Sequence, residues 1–326
     1  MNILLTGGAG FIGSNLLKAF VNDDRITLVR VIDNFSTGFR ENIQAFLDHP
    51  KFQLLEGDIT DYPTCEKAMR GIDLLSHQAA LGSVPRSIAD PVNTNANNVT
   101  GTIHLFTAAK NAGVKRIVYA ASSSTYGDSP SLPKVEDVIG KPLSPYAVSK
   151  YVMELYADVF AKTYDMQFIG LRYFNVFGPQ QSPKGAYAAV IPLFMEAVLR
   201  HQAPTINGDG SYSRDFTYVD NVVDANLKAL FTENPEAVNQ VYNIAFGNST
   251  TLLSLFEMIR TIAGSDLQPH FGPFRQGDIP HSLANIDKAR SLLGYEPNIS
   301  VAEGLKLAYE WYLNDKAFDK DLQKTL

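Results

Sequence analysis

Asn2-Ile3-Leu4-Leu5-Thr6-Gly7-Gly8-Ala9-Gly10-Phe11-Ile12-Gly13 runs from a short apolar strand straight into a glycine-rich turn, and Leu16, Leu17 and Phe20 continue it at helical spacing. A strand, spaced glycines and a helix in that order build a cradle for a diphosphate. Glycines let the backbone turn tightly and approach the ligand, and the open amides of the first helical turn face its charge. Gly7, Gly10, Phe11, Ile12 and Gly13 are therefore the first candidate contacts. Asp33 lies 20 residues beyond Gly13, just past the second apolar run, Thr27 to Ile32. An acid so placed accepts hydrogen bonds from a ribose and repels a 2′-phosphate, which reads as NAD rather than NADP. Arg40 is the one nearby cation that argues the other way.

Outward from this unit, short β-rich runs alternate with helical patterns. Strands are predicted at Asn2 to Leu5, Thr27 to Ile32, Phe52 to Glu56, Leu74 to Gln78, Arg116 to Ala120 and Gln167 to Tyr173. This rhythm predicts an α/β fold, a doubly wound parallel Rossmann sheet. After about Gly178 it breaks into Pro- and Gly-punctuated segments, a smaller and less regular C-terminal lobe that binds the substrate. A helix near Asn221 to Phe231 and a strand at Gln240 to Ala245 look sheet-like again. The expected division is residues 1–177 for the dinucleotide lobe, with a return at about 215–246, and residues 178–214 and 247–326 for the second lobe.

The chain has 326 residues, 45% hydrophobic and 19% charged, a composition of globular proteins with more than one small core. Its net charge of −6 offers no basic footprint for nucleic acid. No apolar run reaches the roughly 20 residues of a membrane span, and no export signal is visible at Met1, so no membrane association and a cytoplasmic location are expected. Cys65 has no partner for a disulfide, and the six histidines show no metal-ligand spacing, so no metal is expected.

A second signal lies in Ser144-Pro145-Tyr146-Ala147-Val148-Ser149-Lys150. Ser144 suits an N-cap and Pro145 the first helical position, which sets Tyr146 and Lys150 four apart on one helical face. A phenol is a poor base, and moving its pKa from about 10 to neutrality takes roughly 4 kcal/mol. A neighbouring ammonium and the positive end of the helix dipole both act in that direction. Ser122 follows the Arg116 to Ala120 strand, at the end that opens into the ligand crevice of a parallel sheet. A hydroxyl there can relay a proton or orient a substrate oxygen.

The glycine turn, Asp33, Ser122 and the Tyr-x-x-x-Lys pair together resemble the extended short-chain dehydrogenase/reductases, in particular their nucleotide-sugar epimerase branch. Ala79 to Ser87, Ala120 to Asp128 and Arg172-Tyr173-Phe174-Asn175-Val176-Phe177-Gly178 are similar to the same segments of bacterial UDP-N-acetylhexosamine 4-epimerases, and the resemblance runs over essentially the whole chain. It implies an isomerase that inverts C4 of UDP-GlcNAc and UDP-GalNAc through a transient 4-keto sugar, with tightly bound NAD regenerated in each cycle. UDP-N-acetylhexosaminuronic acids and UDP-glucose/UDP-galactose are the alternative substrates. A non-catalytic NAD-binding regulator is the remaining alternative, and the intact Ser122, Tyr146 and Lys150 speak against it. Relatives that eliminate or decarboxylate carry acids after the serine, whereas this chain has Ser123 and Ser124.

The resemblance further implies catalytic roles for Ser122, Tyr146 and Lys150. To the glycine turn and Asp33 it adds Asn34, Ser36, Gly38, Asp58, Ile59, Gln78, Ala79, Ala80 and Tyr173 as cofactor contacts, shared with Tyr146 and Lys150. For the UDP-sugar it implies Ser83, Arg86, Ser122, Ser123, Ser124, Tyr146, Asn175, Ala189, Val190, Thr205, Asn207, Arg214, Arg275, Asp278 and Ser282. Guanidinium groups at 214 and 275 suit a diphosphate, and Asp278 suits a ribose. Ser282 matches a position where a bulky aromatic narrows the pocket of hexose-only relatives. Arg86 has two expectations: neutralising a uronate, or pairing with Asp90.

The helix after Tyr146 carries Lys150, Glu154, Asp158 and Lys162 every fourth residue, with Tyr151, Val152, Leu155, Tyr156, Val159 and Phe160 around most of the rest. That is more apolar surface than burial on one side explains. The expectation is packing on the sheet and against a second copy of the chain, a homodimer. Cover by the second lobe is the competing account.

Overall fold

A computed structural model describes residues 1–184, 188–274 and 279–314. Arg275 and Asp278 thus lie outside the described residues. The predicted strands form as β1 (Asn2–Thr6), β2 (Leu28–Asp33), β3 (Phe52–Glu56), β4 (Leu74–His77), β5 (Arg116–Ser122) and β6 (Gln167–Tyr173). Four short strands follow, β7 (Val176–Phe177), β8 (Thr205–Asn207), β9 (Ser213–Arg214) and β10 (Thr217–Tyr218). Then come β11 (Gln240–Ile244), β12 (Thr250–Thr251) and β13 (His270–Gly272).

Among the described residues, seven strands make one sheet in the order β11-β6-β5-β4-β1-β2-β3, with every pairing parallel. The winding reverses between β1 and β4, so the carboxyl ends of these two strands open a crevice rather than being roofed by one crossover. Thr6 and His77 end those strands, and the loops that follow them carry the glycine turn and Gln78 to Gly82.

The helices are α1 (Phe11–Val21), α2 (Tyr62–Met69), α3 (Val84–Ala89), α4 (Pro91–Asn95), α5 (Gly101–Ala112), α6 (Pro145–Tyr164), α7 (Val190–Leu199), α8 (Val219–Phe231), α9 (Leu252–Ile262), α10 (Asp287–Leu293) and α11 (Val301–Asn314). Local chemistry sets their starts. Asp61 accepts from Thr64 N and caps α2, while Ser144 accepts from Ala147 N at 3.1 Å ahead of Pro145 and caps α6. The α1 cap residue, Gly10, has no side chain to offer, so the first amides of α1 are left for a ligand.

Apolar residues cover both sheet faces. Leu16, Phe20, Val222, Ala229 and Tyr242 fill the side of α1 and α8. Cys65, Leu105, Phe106, Met153 and Phe168 fill the side of α2, α5 and α6. A third cluster, with Phe194, Met195, Leu255, Phe256 and Leu305, holds the second lobe together. Ala284, Ile286, Ala289, Leu293 and Tyr295 join the first of these cores, a further return that the sequence reading does not include. No described helix is long and apolar enough to cross a membrane.

The polar row of α6 divides. Lys150 and Glu154 turn inward and are buried, whereas Asp158 and Lys162 stay exposed and pair with each other at 2.6 Å. Glu154 meets Arg172 of β6 through a bidentate pair at 2.7 and 2.9 Å, which compensates both buried charges. Phe160 packs inside, but Val148, Leu155 and Val159 are 48%, 49% and 54% exposed. The second lobe does not cover this face, which removes that account of its composition.

Candidate active site

A cavity of about 430 Å³ opens where the winding reverses. Gly7, Gly10, Phe11, Ile12, Gly13, Asp33, Asn34, Ser36, Gly38, Ile59, Gln78, Ala79, Ala80, Tyr146, Lys150 and Tyr173 all line it, as does Ser122. The glycine turn has no room for side chains. A Cβ on Gly13 would stand 2.0 Å from the Gly7 carbonyl oxygen, and one on Gly7 would stand 2.8 Å from the Ala79 Cα. Gly7 also has φ +69°, a region that L side chains rarely adopt. A cradle this close, below the open amides of α1, fits a dinucleotide diphosphate.

At the end of β2, the Asp33 carboxylate accepts from Ala9 N and Phe35 N, both at 2.9 Å, and thereby ties the glycine turn to the next loop. Burial raises its pKa and the two amides oppose that rise. Arg40 is committed elsewhere, pairing with Glu56 at 2.6 Å and lying over the Phe35 ring, so it offers no ready partner for a 2′-phosphate. Asp58 is the one described cofactor candidate outside the cavity lining. Its carboxylate accepts from Thr60 and from the Asn34 side chain, which shapes the loop.

A buried hydrogen-bond chain fixes the loop after β4. Thr6 Oγ1 accepts from Gln78 N and Ala79 N, so its own proton goes to His77 Nδ1 at 2.8 Å. Thr102 donates to the Asn98 carbonyl, which leaves His77 Nε2 as donor to Thr102. The imidazole is neutral, its pKa pushed down to about 3 by burial first and the Lys150 charge second. Asn98, in a π-helical turn before α5, bonds both the N–H and the carbonyl of Leu81 and also donates to Ser149, which donates to the Tyr146 carbonyl. The loop and the first turn of α6 are thus held in one frame.

Ser122 ends β5, 8% exposed, and accepts from Ser124 N at 3.2 Å and Ser124 Oγ at 2.8 Å. Lys150 donates to the Ala120 carbonyl at 2.7 Å, and its Nζ lies 5.9 Å from the Tyr146 ring centroid. Burial lowers the lysine to about 8, against the pull of Glu154. For Tyr146 the balance differs from the sequence expectation. Burial raises the phenol, and the hydrogen bond with Ser122 opposes without reversing it. The ammonium spends one donor on Ala120 and is itself desolvated, so the protein's own groups do not make the phenol acidic.

A second cavity of about 570 Å³ lies between the lobes' loops, lined by Asn175, Ala189, Val190, Thr205, Asn207 and Arg214, together with Tyr212 and Phe216. Arg214 Nη1 donates to the carbonyls of Ser213 and Pro280. The two cavities share Asn175, Val176 and Gln181. Gln181 was not predicted from the sequence. Its Oε1 is buried with no hydrogen-bond partner while its Nε2 donates to the Val176 carbonyl. Asn97, Thr37, Leu81 and Gly82 also line the first cavity without a sequence signal.

Ser83, Arg86, Ser123, Ser124 and Ser282 line neither cavity. Ser83 has φ +93° and caps α3 by accepting from Arg86 N. Asp90 caps α4 through Asn93 N, and among the described residues it forms no ion pair with Arg86, so that expectation is corrected. Ser282 N donates to the Ser213 carbonyl, which sets it next to the Arg214 strand.

Residues 3–245 match the NAD dependent epimerase/dehydratase family, and the chain belongs to that family. It is 36% identical over 315 residues to a putative UDP-glucose 4-epimerase of Methanocaldococcus jannaschii, covering 96% of this chain and 99% of that protein. Among solved structures it resembles the UDP-N-acetylglucosamine 4-epimerase of Methanobrevibacter ruminantium in complex with UDP-N-acetylmuramic acid (38% identity, TM-score 0.90, 96% and 98% coverage). It likewise resembles the UDP-glucose 4-epimerase of Thermotoga maritima with UDP-glucose (37% identity, TM-score 0.89, 96% and 99% coverage).

Proposed function

We propose that this NAD-dependent UDP-sugar 4-epimerase acts on UDP-N-acetylhexosamines, interconverting UDP-GlcNAc and UDP-GalNAc. The carrying observation is the junction of the two cavities at Asn175, Val176 and Gln181. A nucleotide in the second cavity, beside Arg214, would extend its sugar through that junction toward Ser122 and Tyr146. We assign residues 1–177 and about 215–246 to the cofactor and residues 178–214 and 247–326 to the UDP-sugar.

NAD would be held by the glycine cradle and Asp33, with Tyr146, Lys150 and Tyr173 lining the rest of the cavity, and would supply the acceptor and then the donor of the hydride at C4. Tyr146 takes the proton of the sugar 4-hydroxyl and returns it. Ser122, bonded to Tyr146 and backed by Ser124, holds the same oxygen, and Lys150 stabilises the phenolate. The cavity would hold the 4-keto sugar while its opposite face turns toward the cofactor site.

Two features bear on the sugar, and the second favours the N-acetyl group. Gln181 Oε1 is a buried acceptor in want of a donor, which an amide N–H or hydroxyl of the sugar supplies. Ser282 lines neither cavity, but it is small where the resemblance places a bulky aromatic in hexose-only relatives, and would leave room at C2. UDP-glucose remains the second reading because relatives at 36% and 37% identity bear that name; Arg86, unpaired with Asp90, keeps acidic sugars as a third. A substrate panel decides. Ser282→Tyr is expected to lower kcat/KM for UDP-GlcNAc at least about tenfold more than for UDP-glucose. Equal losses on both sugars reject exclusion by size, and wild-type turnover of UDP-glucose alone rejects the N-acetyl assignment.

The bare apolar face of α6, with Val148, Leu155 and Val159, is assigned to a homodimer. Sedimentation at micromolar concentration is expected to give twice 35.9 kDa. A mass that stays at one chain up to about 100 μM rejects the assignment. We propose a cytoplasmic location, with which the single, buried Cys65 accords.

A further inference from the structure

Asp215 is completely buried, lines neither cavity, and yet touches the pieces from which the second cavity is built. Its Oδ1 accepts from Phe246 N at 3.1 Å and Gly247 N at 3.2 Å. Its Oδ2 accepts from Gly247 N at 3.2 Å and Ala284 N at 3.1 Å. Its own carbonyl accepts from the Asn175 side chain at 2.9 Å. Four segments far apart in sequence therefore meet at one residue: its own, just after β9, the loop after β11, the Ala284 segment before α10, and the corner after β6.

Two of those segments enter the proposed substrate site, through Arg214 and Asn175, and the Ala284 segment is tied to the first of them. Arg214 precedes Asp215. The Ala284 segment runs back past Ser282, whose N–H donates to Ser213, to Pro280, whose carbonyl accepts from both Ser213 N and Arg214 Nη1. Asn175 sits at the junction of the two cavities with φ +37°, a backbone conformation that needs outside support. A neutral side chain cannot replace the carboxylate here. Asparagine offers one acceptor oxygen, and its NH₂ would face backbone N–H groups, donor against donor.

We propose that Asp215 is a positioning residue for the UDP-sugar, a buried carboxyl group whose bonds to Phe246, Gly247 and Ala284 hold Arg214, Asn175 and the Pro280–Ser282 segment ready for the nucleotide. The proposal rests on the UDP-sugar reading of the second cavity. It predicts a loss confined to nucleotide binding, since neither the glycine cradle nor Tyr146 shares a hydrogen bond with the carboxylate.

Two measurements test it. In the full-length wild-type protein without UDP, hydrogen exchange at the Phe246, Gly247 and Ala284 amides is expected to be at least about 10²-fold slower than in an open chain. Exchange as fast as an exposed loop overturns the proposal, and this arm needs no variant to fold. Asp215→Asn is expected to raise the Kd for UDP and the KM for the UDP-sugar at least about tenfold, with kcat within about threefold and copurifying NAD unchanged. Unchanged UDP affinity overturns the proposal, as does a parallel loss of kcat and NAD, which marks a general structural role. Failure of the wild type to bind UDP instead rejects the UDP-sugar reading, and the exchange rates then decide alone whether the carboxylate holds these segments.

Discussion

Tyr146→Phe is expected to lower turnover of every UDP-sugar substrate by about 10³-fold while leaving the Kd for UDP and the copurifying NAD within about twofold of wild type. The substitution keeps the ring that closes the cavity beside Lys150 and removes the one atom able to accept the 4-hydroxyl proton. Ser122 cannot take over, because its oxygen already accepts two hydrogen bonds from Ser124 and a serine alkoxide is far costlier than a phenolate. Since burial raises the Tyr146 pKa in the protein alone, the phenolate depends on the Lys150 charge and the oxidised cofactor together. Turnover within about tenfold of wild type would reject Tyr146 as the base. Equal loss of UDP binding and turnover would show that the ring, not the hydroxyl, is what matters.

Gly13→Ala is expected to remove copurifying NAD and, at micromolar added NAD, to lower turnover by about 10²-fold. The added methyl would lie 2.0 Å from the Gly7 carbonyl oxygen and 2.8 Å from its carbonyl carbon. Both are backbone atoms of the turn that cradles the diphosphate, so the turn itself must shift. Chromatography of the acid-released nucleotide reads the loss directly. Wild-type NAD content would mean that the diphosphate does not rest on this turn, and would undo the cofactor assignment. Recovery of turnover at millimolar NAD would separate weakened binding from a damaged Tyr146 site.

How much of this was legible beforehand follows from the range of the interactions. The glycine cradle and the Tyr146–Lys150 pair are local, within about ten residues of chain, and their spacing carries their geometry. Asp33 lies one βα unit further and was equally readable. Gln181, Asn97 and Thr37 are loop residues of no particular pattern, and only the packing of distant segments turns them into cavity walls. Asp58, expected at the cofactor, lies outside the cavity lining, and its oxygens accept from Thr60 and Asn34, the second a bond that only the folded loops bring together.

The state of Tyr146 also escaped sequence reasoning, because an ammonium and a helix dipole can be counted from residue types whereas desolvation can only be seen once the fold is closed. The same holds for Asp215. In sequence it is the acid between an arginine and a phenylalanine, and its amide partners lie more than 30 positions away.

The edge strand β11 comes from residues 240–244, after most of the nucleotide-side loops have already been made. A ribosome therefore releases one segment of the second lobe, residues 178–214, before the dinucleotide lobe can complete its sheet, and the rest of that lobe after it. Until that last strand arrives, β6 presents an unpaired backbone to the crowded cell. The seven strands of the main sheet are thus all synthesised only after one stretch of the second lobe has passed between β6 and β11.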